Sequence, residues 1–272
     1  MLNENGDVVD TKRDILSEIA DFVRDRIGIL KEIFPTEELK KVAENLPKGN
    51  FEFEKALSEK GMSFICEVKK ASPSKGLIAE DFPYLDIAKD YENAGATAIS
   101  CLTETYYFQG QDKYLNDIAK EVSIPVLRKD FFVDAYMVYE AKILGASAIL
   151  LICAILSDKE LKEFFEIAND LGLSAIFEVH DECELQRAMS CGARIIGVNN
   201  RNLKTFELDL NTSIRLRKLV PKDIIFISES GIKTREDIIL LENNDVDAVL
   251  VGETLMRAEN KKEILNNLKG ML

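Results

Sequence analysis

A chain of 272 residues, 46% hydrophobic and 31% charged, carries ample apolar material for a sizeable core. Its 35 basic and 48 acidic residues give a net charge of −13, which argues against a nucleic-acid partner and leaves no basic stripe for a membrane surface. A few convergent Lys and Arg side chains can still hold a small anion against that overall sign.

The opening MLNENGDVVD lacks the basic-then-apolar plan of a secretory signal, and the longest apolar run, 148–156, is far short of the ~20 residues a bilayer-spanning helix needs. Five cysteines without a CxxC spacing read as small buried hydrophobes of a cytoplasmic protein, not as a disulfide or zinc set. Over 11–34 apolar side chains fall at 15, 16, 19, 22, 23, 27, 30, 33 and 34, which predicts a helix with one greasy face. A break at Pro35-Thr36-Glu37, a second polar-rich helical stretch and a PKGNF loop follow. Residues 1–60 are therefore expected to form a helical extension packed on the main body and covering part of its mouth, with nothing in it that resembles chemistry.

From residue 64 the text becomes a regular alternation. β-Branched or aliphatic runs at 64–68, 97–102, 124–128, 147–152, 174–179, 194–198, 223–228 and 247–251 are separated by helix-period segments long enough for right-handed crossovers. Ser157 with Glu160 and Asp181 with Glu184 look like capping boxes, while Gly172 and Gly192 stand where helix C-caps belong. GATAISCL, GASAILLI and GARIIGV form a weak internal repeat, and the near-continuous apolar strands imply burial on both faces. Eight such units without a linker predict a TIM (β/α)8 barrel over 61–272, one domain with the extension. A doubly wound open sheet competes, but neither GxGxxG nor GxxxxGK[ST] follows any strand.

Barrel chemistry gathers at the C-terminal strand ends. Period-two alternation turns Ile65, Glu67 and Lys69 inward and Phe64, Cys66 and Val68 towards the helices. The third run delivers Arg128, Lys129 and Asp130 to the rim. The fifth carries Glu178 between two apolar neighbours, where burial is expected to raise its pKa towards neutrality. His180, the chain's one histidine, shares that face and reads equally well as structural. The sixth ends with Asn199 and Arg201 co-facial. The seventh and eighth bring Gly231 and Gly252 to the place where barrels commonly hold phosphate. Such a set suits acid–base work on a small sugar phosphate without metal or cofactor.

EVKKASPSKG (67–76), FQG (108–110), LRKDFFVDAYMVYEA (127–141), GVNNRNLKTFELDL (197–210), SESGI (228–232) and VLVGETLMR (249–257) resemble the signature segments of the indole-3-glycerol-phosphate synthase family. The likeness runs from about residue 60 to 258; Cys153 and Phe132 replace aliphatics, and the first forty residues are only loosely similar. It implies a TIM barrel with an N-terminal helical extension. The implied activity is a carboxy-lyase of tryptophan biosynthesis that turns carboxyphenylaminodeoxyribulose phosphate into indole-3-glycerol phosphate, carbon dioxide and water, with no cofactor.

By the same resemblance Lys129 is the general acid, expected to have a lowered pKa, and Lys69 is a second cation near the same oxygen or the anthranilate carboxylate. The resemblance further implies that Glu67 and Glu178 stabilise positive charge and handle protons, while Asn199 and Arg201 orient the substrate. By the same likeness Glu229 and Ser230 are expected to line the pocket, Ser72 with the backbone of Gly231, Gly252 and Glu253 to hold the phosphate, and Phe131 to cover the anthranilate ring.

Two sister barrels fit less well. Phosphoribosylanthranilate isomerase would need a cysteine base where this first strand ends in Glu67-Val68-Lys69, and the Asp-x-Lys-x-x-Asp pattern of orotidine-phosphate decarboxylase is absent from the strand ends. A non-catalytic sugar-phosphate-binding barrel would have lost a reactive strand end, and none is lost. Oligomeric state is left open, a monomer slightly favoured.

Overall fold

In a computed structural model of the chain, the structure describes residues 14–202 and 205–271. The MLNENGDVVD opening, residues 11–13 of the expected first helix, and Leu203 and Lys204 within the signature segment GVNNRNLKTFELDL lie outside the described residues.

Helix α1 (Ile15–Ile33) starts on an Asp14 cap that accepts the Ser17 N–H at 2.9 Å and buries Ile19, Ala20, Val23 and Ile27 as one stripe. Helix α2 (Thr36–Asn45) follows the Pro35 break. The PKGNF loop then leads into a short helix, α3 (Glu52–Leu57), that periodicity did not reveal, because only Phe53 and Leu57 are buried, one turn apart. Its anchorage is tertiary. The Glu54 N–H donates to Ser174 Oγ (3.1 Å), its carboxylate accepts from Arg194 Nε (2.9 Å), and the Arg194 guanidinium lies 4.9 Å from the Phe51 ring centre.

The barrel strands are β1 (Ser63–Val68), β2 (Ala98–Leu102), β3 (Val126–Lys129), β4 (Ala148–Ile152), β5 (Ser174–Val179), β6 (Ile195–Asn199), β7 (Ile225–Glu229) and β8 (Ala248–Val251). Each pairs in parallel with its sequence neighbour, and β8 returns to β1 with Ser63 opposite Ala248, so no edge remains. Every residue of β1, β2, β4 and β5 is buried, because the helices cover one face and the barrel interior fills the other. A two-residue hairpin, Ala71–Ser72 against Gly76–Leu77, projects after β1. Around the barrel run α4 (Tyr84–Asn93), α5 (Asp112–Glu121), α6 (Ala135–Leu144), α7 (Asp158–Leu171), α8 (Glu182–Ser190), α9 (Asn211–Arg217) and α10 (Arg235–Glu242). The one-turn α11 (Glu253–Met256) and α12 (Lys261–Lys269) complete the ring. The TIM-barrel expectation is met. No helix among the described residues is long and apolar enough to cross a membrane.

Ser157 and Glu160 make a complete capping box at α7. The expected box at α8 is only half built. Asp181 accepts the Glu184 N–H, but Glu184 turns its carboxylate to the backbone N–H of His180, not to that of Asp181. Gly172 ends α7 with φ 72°, and a Cβ there would lie 2.0 Å from Gly49 O, so the backbone crossing with the extension requires glycine a second time. Helix α2 packs mainly on α6, while Arg26 and Lys31 of α1 reach Asp130 (3.4 Å) and Asp134 (2.7 Å) beyond the end of β3. The extension thus shares one continuous apolar core with the barrel.

Candidate active site

The C-terminal strand ends enclose a cavity of about 380 Å³. Its lining includes Glu67, Lys69, Ser72, Lys129, Phe131, Glu178, Asn199, Arg201, Glu229, Ser230, Gly231, Gly252 and Glu253, every residue to which the family resemblance gave a role, but neither Arg128 nor His180. Alternation along each strand explains the convergence. Glu67, Lys129, Glu178 and Glu229 lie near the ends of β1, β3, β5 and β7 and turn inward onto one small volume.

At the floor, Lys129 Nζ lies 2.9 Å from Glu178 Oε2 and 3.4 Å from Glu229 Oε2, a single ammonium between two buried carboxylates from different strands. Lys69 pairs with Glu67 beside them. Burial disfavours the charge on Lys129, yet Glu178, Glu229 and Glu67 outweigh it and hold the ammonium well above its ordinary pKa. This corrects the expected lowering: an isolated buried lysine loses its proton easily, but one facing three carboxylates does not. Glu178 is also corrected. Burial opposes its charge, but Lys129 and His180 pull its pKa below the ordinary carboxylate value. The carboxylate that burial does raise is Glu229, to about 7. Near neutral pH an ionised Glu178 and a Glu229 poised between its protonated and ionised forms thus share one lysine.

Arg128 departs from the rim placement. Opposite in parity to Lys129, it points outward and is wholly buried, bonding Glu140 (2.7 Å), Asp112 (2.9 Å) and Thr103 Oγ1 (3.1 Å). Asp130 lines the pocket but is committed to structure, accepting Thr103 Oγ1–H (2.6 Å) and the Phe131 N–H (2.8 Å). Asn199 is shared between two neighbours: its Oδ1 accepts the Arg201 N–H (3.1 Å) and its Nδ2 points at Glu178 Oε1 (3.4 Å). The Arg201 guanidinium donates to Phe206 O (3.3 Å) at the pocket wall.

Towards the mouth, Ser72 is buried in the hairpin after β1, and Ser230 (φ 68°) and Gly231 (φ 86°), both lining the cavity, follow one another in the left-handed region. The Glu253 side chain is held by Lys75 (3.6 Å) and Arg257 (3.1 Å), both lining residues that sequence reasoning did not single out. It also missed Phe108, whose ring centre is 6.2 Å from that of Phe131, although FQG contained it. Ile15, Leu16 and Ile19 of α1 were missed as lining too. Their signal was present in the apolar positions 15 and 16, which lie outside the buried stripe of α1.

Deleting residues 1–45 strips this apolar wall from the cavity and the Arg26 contact from Asp130. KM is expected to rise at least tenfold, and Tm to fall, in assays run well below the melting transition. Unchanged kinetics would show that the extension takes no part in the site.

A family model for indole-3-glycerol phosphate synthase matches residues 16–268. An indole-3-glycerol phosphate synthase of Ruminiclostridium cellulolyticum is 55% identical over 94% of this chain and 99% of its own length. One from Lachnoclostridium phytofermentans is 50% identical over 95% of this chain and 100% of its own. Among solved structures, 3-hexulose-6-phosphate synthase from Salmonella typhimurium superposes with a TM-score of 0.64 at 12% identity, covering 78% of this chain and 98% of that one. At that identity the likeness is one of fold. The sequence matches reach well into α1, where resemblance by signature segments was loose.

Proposed function

The chain belongs to the indole-3-glycerol phosphate synthase family, and from that premise we propose how its pocket closes the pyrrole ring of indole. The enzyme is a decarboxylating lyase of tryptophan biosynthesis. It converts carboxyphenylaminodeoxyribulose phosphate to indole-3-glycerol phosphate, carbon dioxide and water.

The ring carbon bearing the carboxylate attacks the ketose carbonyl, whose oxygen needs a donor as its charge develops. Lys129 fills that role from the cavity floor, protonated at any working pH because of the carboxylates around it. A raised pKa makes it a reluctant acid in the empty site, so its first contribution is electrostatic, and the proton moves as the alkoxide forms. Glu229, at about 7 and 3.4 Å from Lys129 Nζ, is placed to return that proton. Loss of carbon dioxide restores the benzene ring. Glu178 and Glu67 stabilise the iminium-like cation and take up protons during the final dehydration, with Lys69 as donor to the departing hydroxyl.

Asn199 and Arg201 orient the substrate's carboxylate and hydroxyls. Ser72 and the N–H groups of Ser230, Gly231, Gly252 and Glu253 hold the phosphate, and Phe131, facing Phe108, covers the anthranilate ring. Buried Cys66, Cys101 and Cys153, all free thiols, suit a reducing cytoplasmic compartment. Among the described residues, those up to 60 act as the extension and those from 61 onward as the barrel of one domain.

The observation that carries these roles is the Lys129 ammonium between Glu178 and Glu229 on the pocket floor. Incubating the purified chain with the aminodeoxyribulose phosphate and following indole fluorescence, with no added metal, tests the activity. Substitutions test the roles. Arg201→Ala is expected to raise KM about 10- to 150-fold, the ~1.5–3 kcal/mol of a charged hydrogen bond, with kcat within threefold. Lost turnover at unchanged KM would instead move Arg201 into the chemistry.

A further inference from the structure

His180 follows β5 and precedes α8, and half of its surroundings are explained by helix capping. Glu184 Oε2 accepts the His180 backbone N–H at 2.9 Å and lies 3.0 Å from ring Nδ1, so one carboxylate grips both backbone and ring. The other half has no structural explanation. Nε2 is buried, finds no hydrogen bond among the described residues, and lies 3.6 Å from Glu178 Oε1. That is the oxygen Lys129 leaves alone, since Lys129 takes Oε2 at 2.9 Å, and Asn199 Nδ2 reaches Oε1 only at 3.4 Å.

We propose that His180 is a positioning residue for ring closure: clamped through Nδ1 by Glu184, its imidazolium aims Nε2–H at Glu178 Oε1 and fixes the carboxylate that orients Lys129. The role rests on Glu178 taking part in the chemistry. The groups facing the ring are Glu178 near the end of β5, Glu184 from α8 and Glu229 from β7, with Lys129 of β3 beyond the far oxygen of Glu178. Burial works against the imidazolium, but these carboxylates outweigh it, so the ring keeps its proton above its ordinary pKa and both nitrogens donate. The half-built capping box is the structural counterpart: Glu184 is diverted from Asp181 to His180, which turns a helix cap into a ring clamp.

A single histidine makes the test direct, because an untagged chain labelled at histidine nitrogen shows one imidazole. Its titration midpoint is expected above the ordinary ~6.5 and should fall in both Glu178→Gln and Glu184→Gln, as linkage demands. His180→Gln should lower kcat about tenfold or more with KM within threefold. It should also move the acid limb of the pH profile upward, since Glu178 loses a neighbouring cation, and should cost nothing further in the Glu178→Gln background. His180→Asn serves if the glutamine variant does not fold, and the titrations in wild type, Glu178→Gln and Glu184→Gln need no His180 variant. Three outcomes would overturn the positioning role: a midpoint indifferent to Glu178→Gln, wild-type kcat and acid limb in His180→Gln, or an equal loss in both backgrounds. Full turnover by Glu178→Gln alone would instead remove Glu178 from the chemistry, and His180 with it.

Discussion

Lys129→Ala is expected to lower kcat/KM by roughly 10³- to 10⁴-fold, about 4–5.5 kcal/mol of transition-state stabilisation, while the barrel still forms. The loss combines two effects: the ketone oxygen loses its donor, and Glu178 and Glu229 lose the cation between them. The second effect gives a pH signature. Lys129, with its pKa raised, stabilises the fold at all pH values below its unfolded value, so its contribution is intact through the neutral range. Glu178, with its pKa lowered, contributes above its unfolded value and loses that contribution as the pH falls through its folded one. Without the ammonium both buried carboxyls take up protons more readily, so keeping them ionised becomes costlier as pH rises. The fall in Tm relative to wild type should therefore be larger at pH 8 than at pH 5, followed by calorimetry. A pH-independent difference in Tm would mean that the carboxylates find another partner, and near-wild-type turnover would remove Lys129 from the role of acid.

The barrel was legible because its signal is repeated. Eight apolar runs of strand length, each followed by a helical period, admit few topologies, and the inward parity of Glu67 and Lys69 follows from counting by two. What sequence could not supply was the environment each side chain meets. The expected shifts of Lys129 and Glu178 left out their partners, because these come from other strands, 49 residues apart for the Lys129–Glu178 pair itself. Once those partners are in place the signs of both shifts reverse, and the burial-raised carboxyl turns out to be Glu229. The same limit hid α3, held by Ser174 and Arg194 more than by its own six residues; and although the extension was expected to cover part of the mouth, it hid which residues of α1, Ile15, Leu16 and Ile19, line the pocket.

Gly252→Ala is expected to cut kcat/KM by about 10²-fold with little change in Tm, the magnitude an ångström of misplacement at a catalytic group can cost. Gly252 was read as a phosphate-loop glycine, and it has a second reason to lack a side chain. A Cβ there would lie 2.2 Å from Glu67 Oε1 and 3.1 Å from Lys69 Nζ, while its φ of −113° is one that alanine adopts without strain. The added methyl therefore has to displace the Glu67–Lys69 pair and not the backbone. Gly197, inside β6, stands in the same relation to Glu229, whose Oε1 would be 2.3 Å from an added Cβ, so two glycines hollow out space for two carboxylates. Gly231 is the control. Its φ of 86° strains any alanine, but the nearest atom to a Cβ is Leu210 Cδ2 at 3.5 Å. Gly231→Ala should thus cost about 1–2 kcal/mol of stability and keep most of its turnover, since the backbone N–H offered to the phosphate survives. Measuring Tm and kcat/KM for both variants separates steric displacement of reactive groups from backbone strain. Full activity in Gly252→Ala would show that Glu67 and Lys69 can relocate freely, and would remove their paired position from the mechanism.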